Sequence, residues 1–223
     1  MIPILFQSQH FIVLDKPAGL AVHPGPGGGP SVEDAFPSLS RRKDGPWLVH
    51  RLDADTAGCL VVALRKQPLL VAQAAFRAGS VRKTYWAIVH GTPGAGHGEI
   101  ENTLEKRTTR AGWRMEATPA GLPARTCWRL LGQHGGIAWL ELQPWTGRTH
   151  QIRVHCAGLG HPILGDPVYG RGDGPMQLLA RHITLPLDPV VSATAPPPPH
   201  MRDALRACGW SDAGLADQEP AAE

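Results

Sequence analysis

The chain is 223 residues long, 42% hydrophobic and 18% charged, a globular composition with enough length for a sizeable core. No apolar run approaches the ~20 residues of a membrane-spanning helix, and residues 1–16 have neither a basic flank nor a small-residue cleavage pattern, so a cytoplasmic protein with no membrane partner is expected. Residues 1–185 carry 20 Lys/Arg against 13 Asp/Glu, and residues 186–223 carry 2 against 6; a basic body ahead of an acidic tail suits a polyanionic partner and equally suits ordinary solvation.

Short β-rich runs open the chain at Phe11–Leu14 and Leu20–Val22, with a turn expected between them over Asp15-Lys16-Pro17-Ala18-Gly19. A Gly/Pro loop follows at residues 24–30, then a basic cluster, Arg41-Arg42-Lys43, that reads as a solvated loop. The polar stretch from His50 to Gly58 runs into Cys59–Leu64, a continuous apolar run expected as a buried strand. Pro68 is expected to open a helix with Leu69, Ala72 and Phe76 on one face and Gly79 as its stop. Residues 82–89 alternate as a strand, Lys83, Tyr85, Ala87 and Val89 facing one way, Thr84, Trp86 and Ile88 the other.

Residues 94–136 read as strands and turns and include the basic positions Lys106, Arg107, Arg110 and Arg114. Another strand is expected at residues 137–142. Thr149 is expected to cap a helix with Ile152, Cys156 and Leu159 inside, ending at Gly160. The proline run at residues 196–199 argues against regular structure locally, and residues 201–208 fit a short closing helix. Irregular alternation, with strands often in succession, predicts an α+β fold with a mixed, largely antiparallel sheet. The catalytic body is placed at residues 1–187 in two closely joined halves. Residues 188–223 are expected to hold the Pro-rich segment, the closing helix and the acidic tail.

Three segments stand out. His50-Arg51-Leu52-Asp53 is followed by Thr56 and Gly58. Lys83-Thr84-Tyr85-Trp86-Ala87 lies on the alternating strand. Thr146-Gly147-Arg148-Thr149-His150-Gln151-Ile152-Arg153-Val154-His155 precedes Gly160-His161-Pro162-Ile163-Leu164-Gly165-Asp166. Together they resemble, in order and spacing, the motifs of the RluA-type RNA pseudouridine synthases, and Asp15–Leu20 is similar to that family's opening K-P-A-G-L element. The resemblance covers residues 10–187. Ala57 stands where the family usually has Ser, and Leu178-Leu179-Ala180 lacks the His of an L-H-A element.

The resemblance implies a pseudouridine synthase fold with its active-site cleft across the sheet, and isomerisation of uridine to pseudouridine in structured RNA. It implies no separate N-terminal RNA-binding domain, no cofactor, no metal and no DNA partner. A monomer acting on a ribosomal or transfer RNA stem-loop is expected. Moving uracil from an N1 to a C5 linkage needs no redox change, and Gly27-Gly28-Gly29 lacks the strand–loop–helix context of a dinucleotide site.

On that reading Asp53 is the catalytic carboxylate, acting as a nucleophile or as a base on the ribose; the resemblance favours the glycal-type route. Arg148 pairs with it, offsetting desolvation in a closed pocket. Tyr85 stacks on the flipped base and takes the C5 proton. Arg51 holds the RNA where the target nucleotide has left the stack, with Lys83 and Arg153 as phosphate contacts. Taken singly, Asp53 reads as a turn or capping residue, Tyr85 as a core tyrosine, Arg51 as a structural ion pair, and Arg148 as a surface arginine.

Other chemistries fit poorly. Cys59, Cys127, Cys156 and Cys208 form no C-x-x-C and no disulfide framework, so reduced thiols are expected. On a helix His150 and His155 lie roughly 140° apart and do not converge on a metal. Asp53 and Asp55 are too close in an extended segment to flank a sugar as glycosidase carboxylates. The remaining alternative is a catalytically silent RNA-binding module or RNA chaperone on the same fold.

Overall fold

A computed structural model describes residues 1–25, 28–40, 44–110 and 112–211; the Arg41–Lys43 cluster, Gly27 and the acidic end of the chain lie outside the described residues. The elements in chain order are β1 (Ile4–Gln7), β2 (Phe11–Lys16), a 3-10 turn (Val32–Ala35), α1 (Phe36–Leu39), β3 (Trp47–Leu48), β4 (Ala57–Ala63), α2 (Lys66–Arg77) and β5 (Arg82–His90). Then come β6 (His97–Thr109), β7 (Gly112–Ala117), β8 (Leu122–His134), β9 (Ile137–Pro144), α3 (Gln151–Gly158), β10 (Leu178–Leu185), β11 (Val191–Thr194) and α4 (Pro199–Ala207).

The strands form one sheet in the order β1-β2-β4-β10-β5-β9-β8-β6-β7, with β11 on β10 and β3 on β4. Among the described residues β10 with β4 is the parallel pair, and the other pairs are antiparallel. This is the expected α+β fold with a mixed, mostly antiparallel sheet.

The sheet is covered on both faces, and the strand patterns say why. All seven residues of β4 are buried, as a continuous apolar run requires. On β5 the alternation splits as expected. Trp86 and Ile88 join the core under α2 and α4, with Ala72, Met201 and Leu205. Ala87 and Val89 join the core under α3, with Ile152 and Cys156. Tyr85 packs at the junction of that second core with a third around Leu14, Leu60 and Leu52.

Several boundaries differ from expectation. β2 runs on through Asp15 and Lys16, so the turn is confined to Pro17–Gly19. Residues 20–22 form only a bridge from Ala21 to Ser31. α2 begins at Lys66, which puts Pro68 at its third position, where the missing N–H costs no helical bond. Pro199 starts α4 rather than preventing it. β11 and α4 are built into the core beneath β5, with Val191, Met201 and Leu205 buried there. No helix among the described residues is long and apolar enough to cross a membrane.

Candidate active site

The segment after β3 is set by local bonds. His50 Nε2 accepts the Val61 N–H at 3.1 Å and its ring stacks on Phe76 at 5.0 Å. Burial, then the nearby Lys83 charge, pushes its pKa down to about 4, so this imidazole is a neutral acceptor. The Asp53 carbonyl accepts the Thr56 N–H at 3.1 Å, and the Ala54 carbonyl accepts the Gly19 N–H at 2.9 Å.

Lys16 is fully buried at the end of β2. Its ammonium donates to the carbonyls of Pro17, Leu20 and Ala54 at 2.8, 2.7 and 2.7 Å. Burial lowers its pKa to about 8 against the opposing pull of Asp55 and Asp53. These bonds fix the loop that presents Asp53 to the cleft. Gly58 must follow without a side chain, because its φ is 105° and a Cβ would strike the Ala180 carbonyl on β10.

The Asp53 side chain is 24% exposed, and its Oδ2 faces Arg153 Nη1 at 3.2 Å, while the Arg153 side chain is only 5% exposed. Among the described residues Asp53 Oδ1 has no hydrogen-bond partner. Arg153 is clamped from behind by a buried, bidentate pair: Nε donates to Asp166 Oδ2 at 2.7 Å and Nη2 to Oδ1 at 2.8 Å. Asp166 also accepts the backbone N–H groups of Val168 at 2.8 Å and Tyr169 at 3.0 Å. Burial works against the Asp166 carboxylate, but these donors hold its pKa below the usual carboxylate range.

The Tyr169 ring lies 5.2 Å from the Arg153 guanidinium, and its hydroxyl bonds both the Met115 N–H at 2.8 Å and His150 Nδ1 at 2.9 Å. His150, the left-handed N-cap of α3 with φ 53°, brings Nε2 to 3.8 Å from Asp53 Oδ2 and stacks on Trp113. Burial holds its imidazole below the ordinary histidine range, although Asp53 pulls the other way.

Tyr85 lies on the same face of the sheet. Burial first, and the Asp53 charge second, drive its phenol pKa well above the usual value, so the hydroxyl is protonated at rest.

The structure redistributes the remaining expected roles. The ion pair with Asp53 comes from Arg153, not from Arg148. Arg148 precedes α3, and its Nε donates instead to the Pro123 carbonyl at 3.0 Å. Lys83 Nζ donates to the Thr146 carbonyl at 3.0 Å, and burial lowers its pKa to about 8; it ties β5 to the turn ahead of α3. Arg51 is exposed, and its side chain has no hydrogen-bond or ion-pair partner among the described residues.

Thr149 does not cap α3, whose N-cap is His150 with no side-chain cap bond; the Gln151 Oε1 instead ties down the preceding turn, accepting the Arg148 N–H at 2.9 Å and the Thr146 hydroxyl at 2.7 Å. His155 spends its two ring nitrogens on Thr126 Oγ1 at 2.8 Å and Asn102 Oδ1 at 3.0 Å. Asp166, Tyr169, His150 and Lys16 are the members of the cluster not anticipated individually. Asp166, His150 and Lys16 stood inside quoted motifs, whereas nothing in the pattern marked Tyr169.

A charged, half-open carboxylate backed by an arginine, beside a tyrosine on a closed sheet face, suits proton or bond transfer on a small planar group. Residues 10–158 match the family described as RNA pseudouridylate synthase. The chain belongs to the RNA pseudouridylate synthase family. It therefore isomerises uridine to pseudouridine in RNA.

Similar chains agree. An uncharacterized RNA pseudouridine synthase of Zymomonas mobilis subsp. mobilis is 43% identical over 170 residues, spanning 75% of this chain and 78% of that protein. The ribosomal large subunit pseudouridine synthase C of Vibrio cholerae is 38% identical over 167 residues, 75% of this chain but 52% of that protein. This pseudouridylate synthase chain thus spans about half the length of that ribosomal relative. Among solved structures, human RNA pseudouridylate synthase domain containing 4 superposes with a TM-score of 0.78 at 28% identity, covering 92% of each chain.

Proposed function

We propose that Asp53 is the catalytic carboxylate for a uridine everted from a ribosomal RNA stem-loop. The observation that carries this reading is the one-sided hold on its side chain: Arg153 takes Oδ2, and Oδ1 is left towards the cleft. Net, the C1′–N1 bond breaks, a C1′–C5 bond forms, C5 loses its proton and N1 gains one. Both routes open to Asp53, attack at C1′ or removal of a ribose proton, use an unprotonated carboxylate oxygen.

Arg153 places a positive charge across from that oxygen pair, and Asp166 keeps the guanidinium from following the carboxylate. Tyr85 offers a ring to the displaced base and a hydroxyl to relay the C5 proton. Because that hydroxyl is neutral at rest, any proton it takes must be matched by one it hands on. Arg51 and Arg148, on the open side, supply charge to the RNA backbone. The ribosomal target rests on the names of relatives that this chain matches over about half their length.

The test is release of tritium from RNA labelled at uracil C5. Asp53→Asn should abolish release while leaving RNA affinity within about twofold, since the amide keeps the shape and removes the reacting charge. Pseudouridine formed by that variant would remove Asp53 from the reaction.

A further inference from the structure

Tyr85 and Trp86 are neighbours on β5 and point to opposite faces, so the reverse of the catalytic face is reached through Trp86. There a cavity of about 270 Å³ is lined by Trp86, Trp139, Arg129, Arg181, Trp210 and Ser211, among others. Two of its lining residues are arginines, and they are not equivalent. Arg129 is largely exposed and shares one nitrogen with Glu141, Nη2 lying 2.9 Å from Oε1, which leaves its other donors available to a ligand.

Arg181, in the irregular part of β10, is 6% exposed. It bonds the Ala195 carbonyl through Nη1 and lies 4.3 Å over the Trp86 ring. Among the described residues no carboxylate pairs with it. A buried guanidinium with most of its donors unspent is expensive unless an anion completes it. Burial lowers its pKa, as an uncompensated charge requires.

Beneath the same wall lie two further donors without a hydrogen-bond partner among the described residues, the buried indole Nε1 atoms of Trp86 and Trp139. The two rings meet edge to face, centroids 4.7 Å apart at 79°. That contact can satisfy one indole N–H against the other's ring, but not both.

We propose that this cavity is a second ligand site, for a small oxyanion of the phosphate class, on the face of the sheet away from Asp53. An oxyanion has the acceptor oxygens that the Arg181 guanidinium fork lacks here, and a net charge opposite to its surplus. The volume suits a single phosphate group on a small molecule rather than a nucleic-acid strand.

The experiment is a titration of the full chain with inorganic phosphate at constant ionic strength. The indole signals in a ¹H–¹⁵N spectrum are followed, those of Trp86 and Trp139 being assigned by W86F and W139F. A saturable shift of these two signals is expected, weakened about tenfold in R129Q, an exposed position that does not threaten folding, and lost in R181Q. R129Q should release tritium from labelled RNA as the parent does, since the site lies behind the sheet.

Absence of a saturable shift, an equal response to chloride, or a response unaffected by R129Q would overturn the proposal in favour of a water-filled or self-closed cavity. An RNA oligonucleotide lacking a terminal phosphate serves as the other arm. If it moves these signals when inorganic phosphate does not, the small-anion assignment is wrong and the pocket reads the RNA backbone.

Discussion

Replacing Asp166 by Asn isolates the clamp behind the active site. Asp166 and Arg153 are 0% and 5% exposed at their side chains, so solvent does not soften the change. An asparagine carbonyl in the place of Oδ1 can still accept from Arg153 Nη2, Val168 N and Tyr169 N. The amide nitrogen then replaces Oδ2 and faces the Arg153 Nε–H at the 2.7 Å position, donor against donor. Breaking a buried pair in this way costs about 3–5 kcal/mol, which for a chain of this size is a fall in Tm of about 6–20 °C.

The chemical consequence is separate. With its rear anchor weakened, Arg153 has Asp53 as its remaining acid and follows it, closing the free carboxylate oxygen. A displacement of that order costs about 10²-fold in kcat, and RNA affinity should hold because Asp166 cannot touch RNA. Thermal scans and single-turnover tritium release measure the two effects independently. A variant with Tm within about 2 °C of the parent and kcat within about twofold would refute the reasoning.

Tyr85→Phe keeps the ring and removes the relay; turnover should fall about 10²-fold or more with RNA affinity retained, and parent-like tritium release would assign Tyr85 to stacking alone. Gly58→Ala forces a side chain against the Ala180 carbonyl at φ 105°. The expected loss is about 3 kcal/mol or more, read as a lower urea midpoint, and an unchanged midpoint would deny the close approach of β4 to β10. Acidification tests the buried histidine. His155 is 0% exposed and its pKa falls from 6.5 to about 4 on burial. The unfolded chain therefore takes up its proton first as pH drops below 6.5. Stability present at neutral pH is lost between these values, by about 3 kcal/mol at most from this residue. Urea midpoints near pH 7 and about pH 4.5 should differ accordingly in the parent and less so in His155→Gln.

Much of the sheet could be read from pattern because the relevant forces are local. The β5 alternation assigned Trp86 and Tyr85 to opposite faces, and the apolar run after Gly58 marked the buried β4. The α3 helix shows where that logic stops. Its periodicity named Ile152 and Cys156 as interior, yet Gln151, Arg153 and His155 are buried as well. Their partners sit on Thr126, Asn102 and Asp166, distant in the chain, and only the folded arrangement supplies them.

The choice between Arg148 and Arg153 fails for the same reason. Both belong to one motif, and the deciding fact is that α3 begins at Gln151. Arg148 is left on the outer turn beside Pro123, and Arg153 is carried inward between two aspartates. Asp53 and Tyr85 could be singled out as candidates because their surroundings in sequence are themselves distinctive.

The three carbonyls closed around Lys16 have a practical corollary. A primary amine with no surface exposure is shielded from acylating reagents, and the burial that lowers its pKa is lost once it is uncovered. It can be labelled only when the Pro17–Leu20 turn and the Asp53–Asp55 loop part. The rate at which this one lysine acquires an acyl group in the intact protein is therefore a clock for the opening of the loop that carries Asp53.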